Sequence, residues 1–142
     1  MPSKRTRPWL RRLALLALVL ATYPTFVLTY TWSHVLQSPL PGGRHGPLDA
    51  YRHTLASAVV AYTFDARAID LVNGVMERHG RRSNAMDIHN NLIGAGIGSR
   101  DARLSDIEPM VAHSVATGRF NAPSPDQTTW LPPGDWEEGF AW

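Results

Sequence analysis

The chain of 142 residues contains no cysteine, which excludes disulfide bonds, thiolate metal ligands and a cysteine nucleophile. Lysine is almost absent too, because Lys4 is the only one. No basic stripe alternates with aromatic residues, so a nucleic-acid partner is not expected. A metal would have to bind through His, Asp, Glu or Asn side chains.

The formal net charge of +2 averages two different regions. Acidic residues outnumber basic ones beyond the N-terminal segment. The high pI of about 9.4 therefore results from the basic residues of that segment and does not indicate a surface that binds nucleic acid. The basic residues of the segment, which all precede an apolar run, are Lys4, Arg5, Arg7, Arg11 and Arg12.

Residues 13–32 carry no charged side chain. At about 1.5 Å per residue they just span a hydrocarbon core of ~30 Å, which predicts an uncleaved membrane anchor. The basic cluster would stay in the cytoplasm, so the domain would lie on the extracytoplasmic side of a bacterial inner membrane. The alternative is a cleaved signal peptide, because the strongest apolar part is residues 13–21, with a candidate cleavage sequence at Val19-Leu20-Ala21.

The pattern predicts an all-α protein in four parts: an anchor or signal at 1–32, a linker at 33–45, a helical domain at 46–120 and an irregular tail at 121–142. Helices are expected at about 46–64, 66–79, 85–97 and 105–118. Ser83 or Asn84 would cap the third, and a capping box over 105–108 would start the fourth, with Pro109 in its first turn. The tail is rich in Pro and Trp. It is expected to dock on its own domain, with a membrane or partner contact as the alternative.

Asp49-Ala-Tyr-Arg52-His53 places three ionisable groups in the first predicted helix of the domain. A helical wheel puts Asp49, Arg52 and His53 on one side, and Asp49 and His53 are four residues apart and can touch. The positions that best suit water are Ala50, Thr54, Ser57, Ala61 and Asp65. An ordinary ion pair with a core histidine would explain the cluster equally well.

Met86-Asp87-Ile-His89-Asn90-Asn91 places a second polar cluster in the third domain helix. Buried asparagines need polar partners, so we expect the two clusters to meet and form one site. Gly94, Gly96 and Gly98 weaken a helix and indicate that a backbone or a ligand approaches closely. Glu77 is the expected third contributor, whereas four other histidines are expected to be ordinary: His34, His45, His79 and His113.

These two motifs resemble an uncharacterised bacterial domain found in secreted, surface and toxin-like proteins, which reads D-A-x-R-H, then H-E, then M-D-x-H-N-N-x-x-G. The resemblance covers about residues 46–98. The middle H-E corresponds to Met76-Glu77, so its histidine is missing. The resemblance implies an all-helical fold with one composite site and does not name a reaction.

The favoured hypothesis is a hydrolase of lipid esters, phosphoesters or cell-wall bonds. Its catalytic residues would be His53 as general base, Asp49 orienting it, and Arg52 for an anionic group, with Asp87 and His89 as a second catalytic pair or metal ligands. Asn90, Asn91 and Glu77 would bind substrate. A divalent metal, held by His53, His89, Asp87 and Glu77, is the candidate cofactor. The alternative is a non-catalytic envelope module whose polar clusters are a buried packing network.

Overall fold

A computed structural model describes residues 8–64, 67, 69–70, 82–100, 102–121, 124 and 126–137. Most of the predicted helix at 66–79, including Glu77, lies outside the described residues. Phe140 and Trp142 of the tail also lie outside them.

The protein is all-α, as predicted. Its described helices are α1 (Pro8–Val35), α2 (Pro47–Thr63), α3 (Arg82–Gly98) and α4 (Leu104–Ala116). Two short parallel strands follow, β1 (Arg119–Phe120) and β2 (Thr129–Trp130), and then a 3-10 turn, Pro133–Asp135.

The starts of the helices follow local rules with two corrections. In α2, Gly46 is the N-cap and Pro47 occupies the first helical position, where its missing N–H is tolerated. The capping box of α4 begins earlier than predicted, because the Asp106 carboxylate accepts the backbone N–H of Arg103 at 3.1 Å. Pro109 therefore lies inside α4 and not in its first turn. Likewise α3 begins at Arg82, so the predicted caps at 83 and 84 are inside the helix.

Helices α2 and α3 touch at backbone distance. A Cβ built on Gly94 would lie 2.2 Å from the carbonyl oxygen of Thr54, and one on Gly98 would lie 2.0 Å from that of Ala58. This confirms that a backbone approaches these glycines, whereas Gly96 faces open space.

The close contact also corrects the predicted solvent-facing side of α2. Its small residues are buried because they pack towards α3: Ala50, Thr54, Ser57 and Ala61. Small side chains suit solvent and a tight helix contact equally well, so the wheel alone could not separate the two.

The core is formed by the other face of α2, by α4 and by the second half of α1. Leu55 and Val59 from α2 are fully buried with Ile107 and Val111 from α4. Tyr51 reaches α4, where its hydroxyl donates to the Glu108 carboxylate at 2.7 Å.

Among the described residues, α1 is long and apolar enough to cross a membrane by length and composition alone. Such a helix near the N-terminus is typical both of a membrane anchor and of a signal sequence.

The described part of the tail makes contacts with the rest of the domain. The Thr128 hydroxyl is buried and donates to the Ser114 carbonyl at 2.7 Å. Arg44 and Glu137 form an antiparallel bridge through their backbones. The Trp136 ring packs against Gly42, where an added Cβ would lie 3.0 Å from it.

Candidate active site

The carboxylate of Asp49 organises the first turn of α2. Its side chain is only 2% exposed. One oxygen, Oδ2, accepts the backbone N–H of His45 at 2.7 Å, and the other, Oδ1, accepts a hydrogen bond from the Arg52 guanidinium. A buried carboxylate that accepts hydrogen bonds from a backbone N–H and from a guanidinium is held in one orientation.

His53 lies between two carboxylates that come from different helices. Its Nε2 atom is 3.6 Å from Oδ1 of Asp49, one helical turn earlier, and 3.5 Å from Oδ1 of Asp87 in α3. The Arg52 guanidinium also lies 3.3 Å from this nitrogen. The predicted meeting of the two motifs therefore occurs between His53 and Asp87, across the glycine-mediated contact of α2 and α3.

Asp87 has the most perturbed electrostatics of this group. Burial raises the pKa of its carboxyl, the positive field of His53 opposes this rise, and the nearby Asp49 carboxylate adds to it. Within the described part of the chain, its buried Oδ1 accepts no hydrogen bond. An under-satisfied carboxylate next to an imidazole is typical of functional sites.

These groups line a cavity of about 450 Å³ that opens to the surface. Its polar side carries Asp49, Arg52, His53 and Asp87, and its apolar side comes from α1. The Arg52 guanidinium carbon lies 5.9 Å from the centre of the Trp32 ring. The residues that α1 contributes are Val27, Leu28, Thr31 and Trp32.

Sequence reasoning missed His45, which it took for an ordinary histidine. The structure places it in the same cavity, with Nδ1 3.8 Å from Asp49 Oδ2 and Nε2 3.6 Å from Glu137 Oε1. Its backbone has a positive φ of 68° and its carbonyl accepts the N–H of Leu131, so the tail holds it in place. The only local signal is its position four residues before Asp49, because Glu137 is far away in sequence.

His89, Asn90 and Asn91 of α3 do not line this cavity. His89 is two residues from Asp87, about 200° around the helix, and its Nε2 donates to the Gln127 carbonyl at 2.7 Å. Asn90 exchanges two hydrogen bonds with the backbone of Thr129, at 2.7 and 2.9 Å. Asn91 accepts the Ser57 hydroxyl at 2.9 Å. The structure thus places the predicted catalytic His89 and the predicted substrate-binding Asn90 and Asn91 at contacts that hold the tail and α2.

Asp49, His53 and Asp87 also form a candidate metal site, since each offers a ligand atom and these atoms lie within 4.8 Å of one another. The two distances from Nε2, 3.5 and 3.6 Å, are close to the ~3.4 Å edge of a tetrahedron with metal bonds of about 2.1 Å. The Arg52 guanidinium contacts two of these atoms and places a fixed positive charge beside them. It would compete with a bound cation, so the geometry favours acid–base chemistry over metal binding.

Fold and site together define an all-α protein with a largely shielded His/Asp/Arg cluster that lines a mixed polar and apolar cavity. No family model, no curated protein and no solved structure matches the chain. The resemblance of its two motifs to the uncharacterised bacterial domain accordingly stays a prediction from those motifs.

Proposed function

We propose that the protein is an exported hydrolase in which His53 activates a water molecule. The observation that carries this proposal is the position of His53 Nε2, between two carboxylates from separate helices at the edge of an open cavity. A purely structural network would be saturated by its own members and closed. Here a buried carboxylate oxygen of Asp87 accepts no hydrogen bond from the described residues.

Each group has a role that its surroundings support. In the tautomer that the two carboxylates favour, Nε2 of His53 carries the proton and Nδ1 is the basic nitrogen that accepts a proton from water. The contact of Arg52 with Nε2 is then not a hydrogen bond, because a guanidinium can only donate. The contacts of 3.5 and 3.6 Å are slightly longer than hydrogen bonds, and such contacts often tighten when substrate binds. The two carboxylates stabilise the imidazolium that forms, and Arg52 stabilises negative charge on the attacked group.

The reaction is a direct displacement by water. Hydroxide attacks the carbonyl or phosphoryl centre as His53 takes the proton, and the same proton is returned to the leaving alkoxide. Ser57, the serine of α2, donates to Asn91 and is buried in the contact with α3. It cannot reach the substrate, which favours direct attack by water over an acyl-enzyme.

The lining of the cavity narrows the class of substrate. Val27 and Leu28 supply an apolar wall opposite the charged groups. A compound with an apolar part beside an ester or phosphoester fits such a cavity better than a fully polar one. Among the three classes considered, lipid esters and phosphoesters are therefore favoured over the polar bonds of the cell wall.

The compartment follows from the N-terminal segment. Whether it acts as an anchor at residues 13–32 or as a signal, basic residues before an apolar helix direct the domain to the extracytoplasmic side. The substrate would then be met in the bacterial envelope or outside the cell.

One set of observations favours the alternative of a non-catalytic module. Asn90, Asn91 and His89 are satisfied by the tail and by α2. These residues form the packing network that the alternative requires. They are separate from the cavity, so a packing role for these three residues is compatible with a catalytic role for the residues of the cavity.

The test uses the purified protein with a short-chain 4-nitrophenyl ester and bis(4-nitrophenyl) phosphate as probes. Loss of a general base typically costs about 10²–10⁴-fold in rate. We expect such a loss for His53→Gln and a smaller one for Asp87→Asn. The matched control is His113→Gln, because His113 is exposed on α4, and its activity should equal that of the wild type. His89→Gln should affect the attachment of the tail and not the rate at which water is activated.

Circular dichroism would show that each variant remains folded. Hydrolysis that is absent in the wild type for both probes, or equal in the wild type and a folded His53→Gln variant, would refute the proposed role of His53.

A further inference from the structure

Helix α1 changes character in its middle. Every residue from 8 to 22 is exposed. From Tyr23 onwards, shielded positions recur every three or four residues, which defines one helical face. The shielded positions on that face are Tyr23, Val27, Tyr30, Thr31 and Val35.

The second half of α1 is a structural helix of the domain. Val27 and Val35 belong to the same core cluster as Leu55 and Val59 of α2. The Tyr23 hydroxyl is 2.7 Å from the Thr63 hydroxyl, at the end of α2. The domain therefore uses residues 23–35 as part of its own core.

This packing leaves too short a segment to cross a bilayer. The exposed, uncharged part, residues 13–22, is about 15 Å long at 1.5 Å per residue, whereas a hydrocarbon core is ~30 Å thick. Extending the span to Trp32 would bring Asp49 and His53 to hydrocarbon depth, because they line one cavity with Val27 and Leu28. Charged groups at that depth are costly.

The same short segment fits a signal peptide. A basic region followed by an apolar stretch of about 7–15 residues and a small residue is the pattern that a signal peptidase recognises, and here Ala21 is the small residue. The residues on both sides of the Ala21–Thr22 bond are exposed. The helical hydrogen bonding around this bond is weakened by two features. Pro24 has no N–H to donate to the carbonyl of Leu20, four residues earlier. The Thr25 hydroxyl donates a hydrogen bond to the carbonyl of Ala21 at 2.8 Å. Both features disturb a helix where a peptidase needs extended chain.

From these observations we infer that the Ala21–Thr22 peptide bond is a processing site for a membrane signal peptidase. Water adds across the bond, Ala21 leaves as a carboxylate and Thr22 gains a free amine. The released protein keeps the structural half of α1, and with it the apolar wall of the cavity. This inference is independent of whether the cavity is catalytic.

The test expresses the full chain with a C-terminal affinity tag in a bacterium with an active export pathway. Intact-mass measurement and N-terminal sequencing of the tagged protein should give a product that begins at Thr22, in the soluble extracytoplasmic fraction. A product that keeps residues 1–21 and remains in membranes after alkaline extraction would overturn the inference.

A pair of variants makes the test specific to the bond. Ala21→Phe places a large residue where the peptidase needs a small one and should lower processing by about tenfold or more. Ala17→Phe is the matched control, since Ala17 is equally exposed on α1 but lies inside the apolar stretch, and it should be processed like the wild type. Equal processing of both variants at the same bond would contradict the inference, and so would a wild-type product that begins beyond Tyr23.

Discussion

The three glycines of α3 provide a sharp test of how α2 and α3 are held together. A Cβ on Gly94 would lie 2.2 Å from the Thr54 carbonyl oxygen, and real Cβ atoms essentially never come within 3.0 Å of such an atom. The helices would have to separate by roughly 1 Å, and overpacking of this kind costs about 1–3 kcal/mol. Gly96 faces open space. Its replacement by Ala should instead gain about 0.5–1 kcal/mol from helix propensity.

Both variants gain the same helix propensity, so the expected difference between Gly94→Ala and Gly96→Ala in the free energy of unfolding is the overpacking cost alone, about 1–3 kcal/mol. Urea unfolding of the two purified variants and the wild type, followed by circular dichroism, measures it. Gly98→Ala should behave like Gly94→Ala, because its Cβ would lie 2.0 Å from the Ala58 carbonyl oxygen. Equal stabilities of the Gly94 and Gly96 variants would show that the helices do not pack at backbone distance.

The same substitution probes the site, because His53 and Asp87 meet across this contact. A displacement of about 1 Å can cost two orders of magnitude in rate. Any hydrolysis by the wild type should therefore fall in a folded Gly94→Ala variant and persist in Gly96→Ala. A folded Gly94→Ala variant with full activity would separate the helix contact from the function.

Two further predictions concern the tail and the acid of the site. Asn90→Ala removes both hydrogen bonds to the Thr129 backbone and should lower the free energy of unfolding by about 2–3 kcal/mol. It should also speed proteolysis of the tail. Unchanged cleavage would mean that the tail is held by other contacts. Burial raises the pKa of Asp87, so between the ordinary aspartate pKa of about 4 and the higher folded-state value the folded chain binds more protons than the unfolded one. The free energy of unfolding then falls as pH rises through that window. Asp87→Asn should abolish this fall, which urea unfolding of variant and wild type from pH 4 to 7 measures. Parallel dependences on pH for the two proteins would contradict the prediction.

Features that depend on local chemistry could be predicted from the order of the residues alone. Helical periodicity put Asp49, Arg52 and His53 on one side of α2, because residues three and four apart share a face in any α-helix. Glycine in a helix is costly, so Gly94, Gly96 and Gly98 indicated a close neighbour, and the structure has one at Gly94 and Gly98 but not at Gly96. The all-α fold and the apolar N-terminal helix follow from the same kind of local evidence.

Which surfaces of the helices and the tail contact each other is known only from the tertiary structure. The small residues of α2 pack towards α3 and not against water. Both environments accept Ala and Ser, so the residue types alone do not distinguish them. His45 enters the cavity since the distant tail, through Leu131 and Glu137, holds its backbone. Helix geometry already turns His89 about 200° away from Asp87, but only the tertiary structure supplies its partner, the Gln127 carbonyl in the tail. These contacts join residues far apart in sequence, and no local pattern encodes which of several compatible partners a side chain finds.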